Sequence, residues 1–149
     1  MKKAVIVAGA LLLGSGTVMA DQKLAVEQDN FMRSIGKAVY VTMLKMSKGD
    51  IPYDQAAVDA ALAQLEADVP KIPALFKDNP KEQVVDATYG ASPKIWENKA
   101  DFDSKVPDVI KTIAELKGKI KDQASVKVAF DALHKSCTGC HETYRLKLK

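Results

Sequence analysis

The chain has 149 residues, 47% hydrophobic and 28% charged, which suits one globular domain and is too short to suggest two. With 22 basic against 19 acidic side chains the balance is near neutral, which argues against a nucleic-acid partner, since that favours a strongly basic face. There is no internal repeat or low-complexity tract, and β signals are weak.

Residues 1–20 are unlike the rest. Met1-Lys2-Lys3 is a short cationic start, and Ala4 to Val18 is an uncharged, mostly apolar run. Val18-Met19-Ala20 then places small or apolar residues where a signal peptidase reads. The run is short for a bilayer span and no second hydrophobic stretch follows, so a retained membrane anchor is the weaker reading. We expect residues 1–20 to be a cleaved export signal and residues 21–149 to form one periplasmic domain without a membrane anchor. That leaves 129 residues (149 less 20), with 20 basic side chains (22 less Lys2 and Lys3) against 19 acidic, a formal +1. Export also means an oxidising compartment, where two nearby cysteines are normally oxidised or otherwise capped.

Four stretches then carry apolar residues at helical spacing. In the first, Leu24, Met32, Ile35, Val39, Met43 and Met46 share a face, and Gly49-Asp50 with Pro52 ends it. The second runs Val58, Leu62, Leu65, Val69, Ile72, Phe76 behind Asp54 as a cap; Pro70 and Pro73 should stop the regular helix near Val69. Residues 77–91 are polar, contain Pro80 and Gly90, and read as a connection. Ser92-Pro93 opens the third, in which Ile95, Phe102, Val106, Val109, Ile113, Leu116 and Ile120 hold register, with a kink or break expected at Pro107. The fourth places Val126, Phe130, Leu133, Cys137, Cys140 and Tyr144 at alternating steps of four and three, so both cysteines lie on a buried seam. Four such helices with one long connection predict an all-α chain folded as an antiparallel four-helix bundle, ahead of an irregular helical array.

The only two cysteines and one of the two histidines fall in "CTGCH", Cys137 to His141. A thioredoxin-type dithiol wants C-x-x-C at the start of a helix after a strand, where the thiol pKa is lowered; this pair sits late in a helix. A closed zinc site needs four ligands, and His134 lies two turns before His141, about 10 Å away along the axis. Covalent haem accounts for every residue. Two cysteines three positions apart can form thioethers to the vinyl groups of one haem c, and the adjacent His141 falls under the iron as an axial ligand. Attachment after export also explains why the thiols escape disulfide formation.

A six-coordinate iron needs a second ligand, usually histidine or methionine. In an up-down-up-down bundle the start of the first helix lies beside the end of the fourth. His141 is about eight residues from the chain's end, so its opposite number should lie about eight to eleven residues into a helix beginning near Asp21. Met32 is there, while Met43 and Met46 are about 16 and 21 Å further along. Gly36, one turn after Met32, would let a flat macrocycle approach the helix. Met32 as a plain core filler stays open on these grounds.

The segments "CTGCHETYR" and "SPKIW", the four-helix pattern and the signal together resemble class II cytochromes c, the family of cytochrome c prime and its low-spin relatives, over essentially all of residues 21–149. "KGDIPYDQAAVDAAL" at 48–62 and "FMRSIG" at 31–36 are most similar to the low-spin, methionine-ligated branch of cytochrome c-556 type. The resemblance implies haem thioethers at Cys137 and Cys140, His141 as proximal ligand and Met32 as distal ligand. Members of the high-spin branch instead have a non-coordinating apolar residue on the distal side and bind small gases there.

Arg145, in the family's C-H-x-x-Y-R pattern, and Arg33, beside Met32, are candidates to pair with a haem propionate. Trp96 is expected to be plain core, with the haem edge as an alternative, and His134 to be exposed and idle. Lys117, Lys119, Lys121, Lys135, Lys147, Lys149 and Arg145 make the last third basic, a charge that could steer an acidic redox partner protein. The expected function is that of an electron carrier, not an enzyme, cycling iron between Fe(III) and Fe(II). The rivals are a gas-binding cytochrome c prime with open iron and a dithiol oxidoreductase without haem. The resemblance also allows a homodimer paired through the first two helices.

Overall fold

A computed structural model describes residues 15–149; the first fourteen, which hold most of the expected export signal, lie outside the described residues. The first helix, α1, spans Ser15–Gly36 and continues through a π-helical stretch, Lys37–Leu44, into a last α-turn, Lys45–Lys48. It is already helical at Ser15, ahead of Asp21 where the domain was expected to begin. Its expected face is inside: Ile35, Val39, Met43 and Met46 are buried, and Leu24 and Met32 are half-buried. Gly36 marks the switch to i→i−5 bonding, a wider turn that is uncommon and often lies beside a functional site. Gly49, at φ 77°, ends the helix as predicted, and the Asp50 N–H closes the turn on the Lys45 carbonyl at 2.9 Å.

Helix α2, Gln55–Asp68, starts where Asp54 accepts the Ala57 N–H at 3.1 Å. Pro70 and Pro73 break the continuation into a 3₁₀ turn, Val69–Lys71, and a single turn, Ile72–Leu75. The third stretch comes in pieces, Lys94–Glu97 and Lys99–Ser104 followed by α3, Val106–Leu116. The last break falls at Lys105, and Pro107 sits in the first turn of α3, where its missing N–H costs nothing. Helix α4, Gln123–Tyr144, opens on a reciprocal cap: Asp122 accepts the Ser125 N–H at 2.8 Å, and Ser125 Oγ accepts the Asp122 N–H at 3.0 Å.

These elements form an antiparallel four-helix bundle. Helix α4 packs against the π-helical stretch, the Lys45–Lys48 turn and α3, while α2 packs against the π-helical stretch and α3. A Cβ on Gly49 would come within 3.0 Å of the Gln123 amide, so the end of the first helix meets the start of α4. The larger apolar cluster runs along the bundle and includes Met43, Val58, Leu65, Val126 and Leu133. Each such side chain, taken fully out of water, contributes about 1.5–3 kcal/mol. A smaller cluster of Phe76, Ile95, Phe102 and Tyr144 lies at the other end, and Met32 packs against both.

One feature escaped the sequence reading. Three residues past α4, Arg145–Lys147 (β2), pair antiparallel with Tyr89–Ala91 (β1), with Gly90 opposite Leu146. Among the described residues no helix is long and apolar enough to cross a membrane.

Candidate functional site

Where the second half of α1 lies beside the end of α4 there is a cleft with about 1250 Å³ unfilled by atoms, its open mouth included. Ile35 and Val39 from the first helix, Val69, Ile72 and Phe76 from the end of the second, Ile95, Phe102, Val106 and Val109 from the third, and Tyr144 from α4 form its apolar walls. Five of the six candidate residues line it: Met32, Cys137, Cys140, His141 and Arg145. The periodicity of α4 brings the last four together, because Cys137 and His141 are one turn apart and Cys140 lies between them on the same side. Met32 comes from α1 through the antiparallel neighbourhood, and it packs in the same apolar cluster as Cys140.

Arg33 is not brought to the cleft. One residue past Met32 on a helix is about 100° away around the axis. Its Nε instead donates to Asp29 at 2.6 Å, with the side chain largely exposed. Arg145 lies just past the helix end rather than within it, at φ −105° and ψ 129°, and its guanidinium sits 4.3 Å over the ring of Tyr89. Trp96 is core, as expected: its indole N–H donates to the Phe76 carbonyl at 3.0 Å, and its ring packs in the smaller apolar cluster.

Burial sets the protonation of the motif. It pushes the Cys137 thiol up and the Cys140 thiol up to about 11, the latter helped by the neighbouring Cys137. It pushes His141 down to about 4, helped by the positive charge of Arg145 and by His134. At neutral pH the imidazole is therefore uncharged, with a free lone pair, and both free cysteines keep their protons. A redox dithiol needs the opposite shift at its attacking thiol. Among the described residues no group of three or more His, Cys, Asp or Glu is placed to hold a metal ion, so a closed zinc site has no ligand set.

Several lining residues carried no signal in the sequence. Gln28 is one, buried one turn before Met32. Tyr40 is another, and its hydroxyl is 2.8 Å from His134 Nδ1 while the imidazole stacks on Phe130. His134 is exposed as expected but not idle, because it positions a side chain of the cleft. These partners lie 94 positions apart, which hides the pair from any local reading. Lys105 also faces the cleft, bound to Asp101 at 3.0 Å.

The polar connection turns out to be a strap across the mouth. Pro80, Glu82, Gln83, Val84, Tyr89, Gly90 and Ala91 all line the cleft. Gln83 Nε2 donates to the Ala91 carbonyl at 3.1 Å, and a Cβ on Gly90 would lie 1.9 Å from Gln83 Oε1, so a larger residue there would push the Gln83 amide aside. The strap is tied to the tail of α4: the Ser92 N–H reaches the Tyr144 carbonyl at 3.0 Å, the Leu148 N–H the Thr88 carbonyl at 2.9 Å, and Lys149 pairs with Asp86 at 2.6 Å.

A second tie lies beside the motif. The Tyr144 hydroxyl donates to the Asp101 carboxylate, which also accepts from Lys105. This bond pushes the tyrosine up to about 12 and holds the Asp101 carboxyl below its ordinary value. The signs differ. The tyrosine's contribution is complete below its ordinary value of about 10 and is lost as pH rises through about 12. The carboxylate's contribution is complete above the ordinary carboxyl range of about 4 and is lost on acidification through its lowered value. In an ultraviolet titration Tyr144 is expected to ionise near pH 12, and Tyr144→Phe to remove that phase.

The basic last third divides in two. Lys117, Lys119 and Lys121 precede α4, whose first residue, Gln123, is eighteen residues and about 27 Å along the helix from His141, and Lys117 is paired with Glu66 at 2.6 Å. Lys135, Arg145 and Lys147 lie nearer the cleft's end of the molecule.

The residues present fit a haem held by two thioethers. They offer two protonated thiols at the required spacing, a neutral imidazole, a thioether sulfur and apolar walls. Gly36 adds room, since it lines the cleft and a Cβ on it would meet nothing within 4 Å. Comparison with known proteins agrees. The family model described as Cytochrome C' matches residues 24–145. The chain is 62% identical, over the whole of both chains, to cytochrome c-555 of Bradyrhizobium diazoefficiens. It is 43% identical to cytochrome c-556 of Rhodopseudomonas palustris, covering 99% of each. The solved cytochrome c' from Rhodopseudomonas palustris superposes with a TM-score of 0.71 at 32% identity, covering 85% of this chain and 98% of that one. The chain therefore belongs to the cytochrome c' family, and its cofactor is covalently bound haem c.

Proposed function

We propose that the protein is a periplasmic one-electron carrier whose haem iron is held between His141 and Met32, with no substrate chemistry of its own. The observation that carries this reading is that Met32 lines the same cleft as His141, Cys137 and Cys140. The high identity to relatives named cytochrome c-555 and c-556 supports it as well. When bound, the haem supplies an iron that takes up and returns one electron. Cys137 and Cys140 hold the group as thioethers. His141, kept neutral by burial, offers its lone pair without first losing a proton. Met32 offers a neutral sulfur, which favours the reduced state. Two fixed ligands limit rearrangement on electron transfer, and the apolar walls keep water from the iron.

Arg145 is proposed to face a haem propionate; Arg33, paired with Asp29, is left without that role. The redox partner is proposed to be a protein with an acidic face, met by Lys135, Arg145 and Lys147. The cationic and apolar character of residues 1–20 supports export. The rival, a five-coordinate iron that binds small gases, rests on Met32 packing among apolar walls as a filler would. Stepwise reduction and reoxidation of the holoprotein separates the two. A single reversible one-electron couple with a low-spin spectrum in both oxidation states is expected; a high-spin spectrum in either state contradicts the proposal.

A further inference from the structure

Gln28 is 3% exposed and lines the cleft on α1, one turn before Met32 and on the same face. Its amide nitrogen donates to two backbone carbonyls, Leu75 at 3.1 Å and Asp78 at 3.2 Å. Both amide hydrogens are thus in use. Turning the amide over would set its oxygen against those two carbonyl oxygens, so the direction of the group is fixed. Its oxygen, Oε1, is buried and has no hydrogen-bond partner in the protein. A buried acceptor left in this state costs about 1–3 kcal/mol, so whatever occupies this end of the cleft must bring a hydrogen.

The charged and titratable groups around the cleft are unevenly placed. Next to Gln28 stands Asp29, engaged by Arg33, and the strap adds Glu82. The Leu75 and Asp78 carbonyls already face the Gln28 amide. The cations come from other elements: Lys105 before α3, bound to Asp101, and Arg145 after α4, over Tyr89. His141, the two thiols and the phenols of Tyr40, Tyr89 and Tyr144 complete the set. The protein groups shown in contact with the Gln28 amide are therefore both acceptors.

On this basis, and resting on the haem reading above, we propose that Gln28 binds one of the two haem propionates in its protonated form, the propionic O–H donating to Oε1. An ionised carboxylate has no hydrogen to give, and two of its oxygens against Oε1 would repel it. The other propionate, nearer Arg145, is left ionised. Gln28 is then a cofactor-binding residue that raises the pKa of one propionate above the ordinary carboxyl range of about 4.

The test is the infrared spectrum of the holoprotein carrying haem with isotope-labelled propionate carboxyls. At about pH 7 a label-sensitive carbonyl stretch of a protonated carboxylic acid is expected. In Gln28→Lys the ammonium can still donate to the Leu75 and Asp78 carbonyls but pairs with an ionised carboxyl, so the band's titration midpoint should fall by at least about one pH unit, a tenfold loss in protonation. Gln28→Met, which removes the acceptor without adding charge, should lose the band at neutral pH as well. A role confined to bridging Leu75 and Asp78 would lower stability in Gln28→Met alone and leave the labelled band where it was in both variants, which overturns the proposal. So does the absence of a labelled acid band at about pH 7 in the unaltered protein, an observation that needs no variant to fold. A chain that carries no covalent haem gives no visible haem spectrum at all, so failure of the haem reading is told apart from failure of this one.

Discussion

The variant Met32→Ala is expected to turn the iron from low-spin to high-spin and to let the reduced protein bind carbon monoxide. Met32 lines the cleft from α1, and in the proposed ligation its sulfur fills the sixth position of the iron. Alanine has no donor and reaches no further than Cβ, so that position opens. Met43 and Met46 cannot replace it, being buried in the larger cluster about 16 and 21 Å further along the helix. The fold should survive. Met32 is half-buried, so truncation should cost less than the about 2–5 kcal/mol of a fully buried methionine. The visible spectrum and a carbon monoxide titration check this, and an unchanged spectrum excludes Met32 as ligand.

The second large effect is expected from replacing both cysteines together, Cys137→Ser with Cys140→Ser. Haem should no longer travel with the polypeptide through a denaturing gel. Stability should also become dependent on haem concentration. A covalently held group cannot leave, whereas one held only by His141, Met32 and the apolar walls obeys mass action. It then stabilises by about 2.7 kcal/mol at a hundredfold excess over its dissociation constant and by nothing when dilute. Thermal melts of the variant should shift upward with added haem, and those of the unaltered holoprotein should not. A variant that keeps haem through the gel would show that the attachment lies elsewhere.

The residues behind both predictions were legible in the sequence, for a physical reason. Each helix had to bury an apolar stripe, so its period exposed the element, its buried face and its neighbours. Asp54 as a cap, Gly49 as a stop and Pro107 as a break follow from what those residues can do at a helix end. The same logic of depth in an antiparallel pair led from His141 to Met32. What stayed hidden depends on contacts distant in sequence. Tyr40 and His134 meet across the bundle, and nothing near either residue announces the other. The strap and β2 are three-residue strands with little buried surface, too short to show alternation. Ile35, Val39, Met43 and Met46 keep an ordinary helical period through Lys37–Leu44, so its π-helical turn left no mark. Gln28 reads as a surface residue on a helix of mixed polarity, and only burial against Leu75 and Asp78 shows it to belong to the site. Arg33 pairs with Asp29 and is not among the residues lining the cleft, because adjacency in sequence is not adjacency on a helix.

In the proposed ligation a methionine closes the iron on the side opposite His141. The visible spectrum of the reduced holoprotein, recorded before and after carbon monoxide, tests it most directly. A sharp low-spin α band that carbon monoxide leaves unchanged is the result expected. A broad high-spin spectrum that shifts on adding the gas would contradict it and make the protein a gas binder.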